Sequence, residues 1–370
     1  GDDSPASCDD VVCSGNGRCV VTDNHAACVC DPGFGPDGLD CSPCAEVDAL
    51  SVGQIDVISL RVSGVFTLAG SAPPTSIYDT GEVWLEGDSG GRARLGTLSQ
   101  QSFDVRVVPG EYDIYYGLFN GGVEVPRNTR ARLGSVEIWE ERELDIDVPV
   151  AQVSGGITIN GESPPPSVID SGNLVLVEEG GDEAAIGATN NGEYSALVVP
   201  GDYQLHYRLE NGGIGVPQNQ DATLQGYEVA DSGADADIDI PMADLRGSVT
   251  VAGLPATTSV YDSGAVFATT AAGDRSPLGR TNTGQVDARI VPGTYDFTYA
   301  LQNGGVEVPR NAFATFAEGQ TIELQTRALD IDVPTVQMDA RITIDGQVPS
   351  STAYDNGHIL LAGAHPDDLA

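Results

Sequence analysis

Lysine is absent from this sequence, in which all 17 basic residues are arginine against 55 Asp and Glu, giving a formal net charge of −38. Without lysine, the chain has no means of forming a lysine Schiff base or a Lys–Asn or Lys–Asp isopeptide cross-link. Nucleic-acid binding requires clustered basic residues, and the sequence has no such cluster. It also has no apolar run of about 18 residues, so we expect no membrane-spanning helix.

Patterns typical of long helices are missing as well, since no stretch has an amphipathic period over three turns. The 46 Gly and 22 Pro lie mainly at turn positions between short alternating segments. Such punctuation favours many short strands. We predict an all-β fold, with a small disulfide-rich domain followed by tandem Greek-key β-sandwich domains of about 92 residues each.

Cysteine is confined to the N-terminal end, where all seven lie before residue 45. Such crowding predicts a disulfide framework and an oxidising, extracellular or outer-surface location. The spacing of the first six, with Gly33-Phe34 after the fifth, resembles that of an EGF-like domain. The resemblance implies pairing of first with third, second with fourth and fifth with sixth cysteine, whereas sequence alone permits fifteen pairings. The implied pairs are Cys8–Cys19, Cys13–Cys28 and Cys30–Cys41.

The EGF-like segment lacks the residues that calcium-binding members of that family carry. An Asp or Asn two residues after the third Cys and an aromatic two residues before the fourth are replaced by Val21 and Ala26. We therefore predict no EGF-type calcium site, and interpret the nearby carboxylates of Asp2, Asp3, Asp9 and Asp10 as solvated charge.

Two features at this end bear on partners. Cys44 is left over, and we expect either a free thiol or a bridge to a second chain. The opening Gly1-Asp2-Asp3-Ser4 is similar to the polar tether that follows a lipidated Cys in bacterial lipoproteins, which predicts a lipid anchor upstream of Gly1.

Downstream, short motifs recur with a long period. Val-Pro-Gly-x-Tyr begins at Val108, Val199 and Val291, and Asn-Gly-Gly begins at Asn120, Asn211 and Asn303. A four-residue motif ending in Gly begins at Tyr78, Ile169, Tyr261 and Tyr354, which gives a period of 91 to 93 residues. That period suits an independent domain rather than a solenoid unit. We expect Asn-Gly-Gly to supply the positive φ of a tight hairpin.

The repeats resemble carboxypeptidase-regulatory-like domains of the transthyretin-like (prealbumin-like) sandwich family. The resemblance rests on the opening strand ending in Gly, on Thr189–Gly192 and Thr281–Gly284, and on the Val-Pro-Gly-x-Tyr strand pair. It implies a surface-displayed spacer or binding scaffold without catalysis. We predict an EGF-like module with its tether at 1–45, sandwich repeats at 46–150, 151–242 and 243–335, and a partial repeat at 336–370.

The chemistry-bearing residues all have structural interpretations. Tyr112, Tyr203 and Tyr295 follow the Pro-Gly turn, as in a tyrosine corner. The Asp-Ile-Asp segments place two carboxylates on one face of a strand, so we expect solvated charge there, with a calcium bridge between repeats as the alternative. Those calcium candidates are Asp145, Asp147, Asp237, Asp239, Asp330 and Asp332.

The remaining candidates form no recurring constellation. The four histidines, His25, His206, His358 and His365, are scattered, and His206 is predicted to be a strand side chain. Trp84 and Trp139 occur only in the first repeat, where we expect a core or groove role. We predict no catalytic residue, no cofactor and no enzyme activity.

The repeat that begins at residue 336 stops before its Pro-Gly turn. Either the natural chain continues, which we favour because of the regular period, or another subunit completes the sheet by strand addition. Three functions remain: an extracellular structural stalk or fibre, an adhesin that recognises a glycan or protein, and the repeat region of a secreted enzyme whose catalytic domain lies beyond residue 370. The even spacing of the repeats favours the first.

Overall fold

A computed structural model describes residues 7–8, 11–22, 25–31, 34–37, 40–43, 57–349 and 360–361. Within these ranges the protein is all-β, with three 3₁₀ turns and no α-helix. No helix in the described ranges has the length and hydropathy that a membrane span requires. Cys44, the N-terminal tether, Asp9, Asp10, His358 and His365 lie outside the described residues.

The N-terminal module consists of two antiparallel hairpins beside a 3₁₀ turn. Disulfides join Cys8 to Cys19, Cys13 to Cys28 and Cys30 to Cys41, which are the pairs that the EGF-like resemblance implies. Cys13, Cys28 and Cys41 form its small buried core. The elements are the turn Cys13–Gly15 and strands β1 (Gly17–Thr22), β2 (His25–Cys30), β3 (Phe34–Asp37) and β4 (Asp40–Pro43).

The chain then forms three β-sandwiches, here called sandwich 1 (residues 60–148), sandwich 2 (151–240) and sandwich 3 (243–333). Sandwich 1 contains β5 (Leu60–Leu68), β6 (Thr80–Gly87), β7 (Arg92–Thr97), the 3₁₀ turn Leu98–Gln100, β8 (Ser102–Val107), β9 (Gly110–Asn120), β10 (Ala131–Ile138), β11 (Arg142–Glu143) and β12 (Ile146–Val148).

Sandwich 2 repeats the same series as β13 (Ala151–Ile159), β14 (Ser171–Val177), β15 (Glu183–Ala188), the 3₁₀ turn Thr189–Asn191, β16 (Glu193–Val198), β17 (Gly201–Asn211), β18 (Ala222–Val229), β19 (Ala234–Asp235) and β20 (Ile238–Ile240). Sandwich 3 contains β21 (Ala243–Val251), β22 (Leu254–Pro255), β23 (Ser263–Thr269), β24 (Arg275–Arg280), β25 (Gln285–Ile290), β26 (Gly293–Asn303), β27 (Ala314–Ile322) and β28 (Ile331–Val333).

Each sandwich packs two sheets around one core. In sandwich 1 one sheet has the order β10-β9-β6-β7, and the other is built on β5, which pairs antiparallel with β8 and parallel with β11 and β12. Sandwich 2 has the same arrangement, whereas in sandwich 3 pairing of β24 with β25 joins the two sheets along one edge. The opening strand β5 alternates buried and exposed positions, as a strand with one face on a core requires.

The Asn-Gly-Gly motif does have positive φ at both glycines, 78° and 96° at Gly121 and Gly122. The expectation of a tight hairpin at this point is wrong, however, because β9 ends at Asn120 and its neighbour β10 begins only at Ala131. The intervening loop folds over the end of the sandwich, since the Asp79 carboxylate accepts backbone hydrogen bonds from Gly122, Val123 and Glu124. This loop places the residues that meet the next sandwich.

Beyond sandwich 3, the described residues 334–349 contain the start of a further repeat that packs against no core. Four positions correspond to the buried Ala243, Leu245, Val249 and Val251 of β21, which are at most 7% exposed. Their counterparts are each more than half exposed: Val336, Met338, Ile342 and Ile344.

Candidate functional site

In the described part of the chain, buried polar side chains form hydrogen bonds across the joint between consecutive sandwiches. It is formed by the Val-Pro-Gly-x-Tyr turn of one sandwich and the loop after Asn-Gly-Gly of the preceding one. The turn joins β16 to β17, which belong to different sheets, so its tip lies at the end of the sandwich. There it can contact a neighbour.

Each tyrosine of this turn closes a tyrosine corner. The Tyr203 hydroxyl donates to the Val199 carbonyl oxygen at 2.7 Å, and the hydroxyls of Tyr112 and Tyr295 make the corresponding bond at 2.6 Å to Val108 and Val291. Burial raises the pKa of all three hydroxyls, which keeps them in the neutral, donating form. Their role is to fix the turn.

An asparagine of the preceding sandwich recognises this turn across the joint. The Asn128 side chain accepts from the Val199 backbone N–H at 2.7 Å and donates to the Tyr203 hydroxyl at 2.9 Å. Asn219 makes the same pair of bonds to Val291 and Tyr295, at 2.7 and 3.1 Å. Both asparagines are fully buried. One asparagine side chain therefore hydrogen-bonds to both the backbone and the tyrosine of the turn.

Apolar packing crosses the joint at the same place. Val199, a residue of sandwich 2, belongs to the buried core of sandwich 1, and Val291 of sandwich 3 belongs to the core of sandwich 2. They are 6% and 3% exposed, whereas Val108, which precedes the first turn and has no sandwich before it, is 51% exposed. Each sandwich thus completes the core of the one before it.

Backbone bonds fix the joint further. The Arg127 N–H donates to the Leu197 carbonyl at 2.8 Å, and Gln218 repeats this contact to Arg289 at 2.6 Å. In the first joint Thr129 and Glu183 add a further backbone bond of 2.8 Å. Directional contacts at several points restrict rotation of one sandwich on the next.

A buried carboxylate distinguishes the first joint from the second. Asp182, 1% exposed, accepts from the Asn128 side chain at 2.5 Å and from the Arg130 backbone at 2.6 Å. Burial raises the pKa of Asp182, and these hydrogen bonds oppose the shift. The corresponding Asp274 accepts instead from Thr270 of its own loop, and sandwich 1 has Gly91 at this position.

The Asp-Ile-Asp segments hold each opening strand. The Asp147 carboxylate accepts from Thr67 Oγ1 at 2.6 Å and from the Gly70 N–H at 2.8 Å, and Asp239 and Asp332 repeat these two bonds. Asp145, Asp237 and Asp330 accept from the backbone N–H of Val65, Gly156 and Ser248 respectively. No group of three or more His, Cys, Asp or Glu positioned for a metal occurs among the described residues.

The other predicted residues make contacts within their own sandwich or with the N-terminal module. His206 is a strand residue whose Nδ1 lies 2.5 Å from Asp221 Oδ1. Trp84 is buried, stacks on Tyr115 and lies under the Arg92 guanidinium at 3.6 Å. Trp139 lies under Arg18 of the N-terminal module at 4.7 Å.

Sequence reasoning did not identify the joint asparagine. The signal was present, because Asn stands two residues after Pro in Val125–Asn128, Val216–Asn219 and Val308–Asn311. Asn in a loop is ordinarily read as turn chemistry, and only the structure shows that its side chain points at the following repeat.

No family model and no curated protein matches the chain. Among solved structures, it is similar to the TIE protein of Bacillus anthracis, at 9% identity and a TM-score of 0.19 over 75% of this chain and 50% of that one. It is also similar to a putative adhesin from Bacteroides ovatus, at 11% identity and a TM-score of 0.22 over 52% and 95% of the two chains. The major pilin T-13 of Streptococcus pyogenes matches at 8% identity and a TM-score of 0.20, over 49% and 96%. The chain spans about half the length of the TIE protein. Similarity at this level assigns no function.

Proposed function

We propose that this chain is an extracellular structural protein, a stalk or fibre segment built of β-sandwiches joined end to end. The joint carries this proposal, because the two consecutive joints are formed by equivalent residues: an asparagine, a Val-Pro-Gly-x-Tyr turn and a valine that packs in the core of the preceding sandwich. Domains that move independently need only flexible linkers, whereas a stalk of defined length and orientation needs interdomain joints of fixed geometry.

The N-terminal disulfides support the extracellular part of the proposal. Three bridges within residues 8–41 hold a module that has little apolar core of its own. Disulfides of this kind persist in oxidising compartments. The net charge of −38 favours an extended and soluble particle, since like charges repel.

Small-angle X-ray scattering of the full chain tests the stalk. Three sandwiches in a row should give a maximum dimension of about 100 Å or more, whereas a compact globule of this size has a radius of gyration of about 21 Å and therefore a diameter of roughly 55 Å. Val199→Asp should loosen the first joint and broaden the distance distribution, because it places a charge in the core of sandwich 1. The matched control is Val168→Asp, at a position 68% exposed. A compact particle, or equal scattering from the two variants, would contradict the proposal.

An adhesin that recognises a glycan or protein is the second candidate, and one observation favours it. The outer faces of the four-stranded sheets of sandwiches 1 and 2 differ from each other, whereas the two joints share their asparagine, turn and valine. Sandwich 1 has Trp84 and Tyr115 covered by Arg92 and Arg130, whereas sandwich 2 has an ion-pair cluster around Arg208. Specific retention of the full chain on a glycan or protein array would favour this alternative.

A further inference from the structure

Each sandwich displays three exposed apolar side chains at equivalent positions of two loops. In sandwich 1 they are Ile77, Tyr78 and Val123, which are 63%, 80% and 76% exposed. Their counterparts in the other copies are 58% to 84% exposed: Val168, Ile169 and Ile214 in sandwich 2, and Val260, Tyr261 and Val306 in sandwich 3. We call these three groups the apolar patches.

Hydrogen bonds hold the two loops of each patch together. In sandwich 1 the Asp79 carboxylate accepts from the Val123 N–H at 3.1 Å, and the Asn120 side chain donates to the Ile77 carbonyl at 3.1 Å. Sandwich 2 repeats these two bonds at 2.9 and 3.1 Å, and sandwich 3 at 3.0 and 3.1 Å. Because Tyr78 precedes Asp79 directly, all three residues emerge at one place on the surface. A patch fixed in this way loses little conformational entropy when it binds.

Repetition distinguishes the apolar patches from ordinary exposed apolar residues, which occur singly on most protein surfaces. Val65, Phe119 and Leu254 are exposed as well, but each occurs in one sandwich alone. Glycine or polar residues stand at the equivalent positions of the other copies: Gly156 and Ser248, Glu210 and Gln302, Ser71 and Glu162. The patches therefore keep their apolar character while other surface positions change.

The joints leave the apolar patches uncovered. Sandwiches 1 and 2 are each followed by another sandwich, yet Tyr78 and Ile169 are 80% and 77% exposed, against 83% for Tyr261 of sandwich 3. The exposure of a patch is thus the same whether or not a further sandwich is joined there. Since both joints use equivalent contacts, each patch follows the previous one by the same step. The three patches form a row of regular spacing.

We propose that this row is a lateral interface that takes the same row of a second copy of this chain, side by side. The proposal deepens the stalk function and rests on it. A partner that covers all three patches has to present apolar groups at the spacing of the sandwiches, and a second copy has that spacing. A single globular partner would need one patch, whereas the chain repeats it in every sandwich. Contact at several patches at once lets weak individual contacts add.

Charge restricts this pairing to solutions of high ionic strength. Two copies with a net charge of −38 repel each other, and about 0.5 M NaCl lowers the Debye length to about 4 Å. Screening on that scale leaves the apolar contact to decide the association. At low ionic strength the copies remain apart, so scattering under those conditions reports on single chains and tests the stalk separately.

Sedimentation velocity of the full chain in about 0.5 M NaCl, over a concentration series, tests the proposal. We expect a concentration-dependent dimer. One Ser substitution in a patch should weaken the dimer at least about fivefold, and three together at least about a hundredfold, because every patch contributes. The variants are Tyr78→Ser, Ile169→Ser and Tyr261→Ser, singly and combined. The matched control combines Val65→Ser, Phe119→Ser and Leu254→Ser and should dimerise as the parent does. All six positions are exposed, so both triple variants should keep the parent Tm.

Small-angle X-ray scattering of the dimer separates side-by-side from end-to-end pairing. Side by side, the mass doubles while the maximum dimension stays close to that of the single chain. End-to-end pairing nearly doubles that dimension and would overturn the inference. So would a dimer that the patch and control variants weaken equally, a dimer that depends on one patch alone, or a monomer at every concentration, which would assign the patches to a different partner. In each of these cases an extended single chain at low salt leaves the stalk proposal intact, whereas a compact particle there would remove the proposed function itself.

Discussion

At the residue scale, the joint depends on one amide side chain that offers an acceptor and a donor at once. Asn128 uses its oxygen for the Val199 N–H and its nitrogen for the Tyr203 hydroxyl and the Asp182 carboxylate. An aspartate in its place has no donor, and a serine does not span both groups. The requirement is for Asn in particular, which is what all three copies have at this position.

We therefore expect Asn128→Ala and Asn219→Ala to destabilise the protein, because each leaves a buried backbone N–H without its partner. The loss should be about 1–3 kcal/mol per joint. Differential scanning calorimetry of dilute protein measures it as a lower Tm. Asn311→Ala is the matched control, since its side chain bonds to nothing among the described residues, and it should leave the Tm unchanged. Equal shifts in all three variants would show that the asparagine acts within its own sandwich.

The tyrosine corners show what a sequence can predict about single residues. Tyr112, Tyr203 and Tyr295 have a local partner four residues away, so a turn motif alone indicates where the hydroxyl goes. The Asp-Ile-Asp residues are exposed, as the alternation of the strand predicts, and their carboxylates also accept hydrogen bonds from an opening strand about 80 residues earlier. A partner at that separation cannot be read from local pattern, because it depends on the parallel pairing of β12 with β5.

At the scale of elements, the Val-Pro-Gly-x-Tyr turn belongs to two cores. Val199 is covalently part of sandwich 2 and packs in the core of sandwich 1. The order and alternation of the strands follow from the sequence period, whereas this sharing does not, since it depends on how one sandwich is oriented on the next. The same reason explains why the prediction of a tight hairpin at Asn-Gly-Gly is wrong. The loop there is longer than a hairpin turn, and its residues contact the neighbouring sandwich.

Val199→Ala should consequently destabilise sandwich 1 by about 2 kcal/mol, because the substitution removes buried apolar volume from the core of sandwich 1, although residue 199 belongs to sandwich 2. Both tryptophans, Trp84 and Trp139, lie in sandwich 1, so their fluorescence reports its unfolding in denaturant. The matched control is Val291→Ala, whose side chain packs in the core of sandwich 2. That control should leave the tryptophan transition in place. A transition unmoved by Val199→Ala would mean that the two cores are independent.

At the scale of the whole molecule, charge opposes compaction while the joints oppose bending. The net charge of −38 is spread over all copies, and most ion pairs, such as Arg61 with Asp104 at 2.6 Å, are exposed and contribute little to stability. The sequence has no cysteine after Cys44 and no lysine, so neither disulfides nor isopeptide bonds stabilise the repeats. Three buried apolar cores and two joints hold the series.

The calcium bridge between repeats is tested at this scale. Each of the six Asp-Ile-Asp carboxylates accepts hydrogen bonds from its own sandwich at Oδ1, and among the described residues they form no group of three or more carboxylates positioned to share a metal. We therefore expect CaCl₂ to raise the Tm no more than MgCl₂ at the same ionic strength, the common increase reflecting screening of like charges. Asp147→Ala should lower the Tm by the same amount in CaCl₂ and in EDTA, because the carboxylate acts on Thr67 and Gly70 rather than on a metal. A rise in Tm that is specific to calcium, reversed by EDTA and absent in Asp147→Ala would contradict this and identify the segment as a metal site.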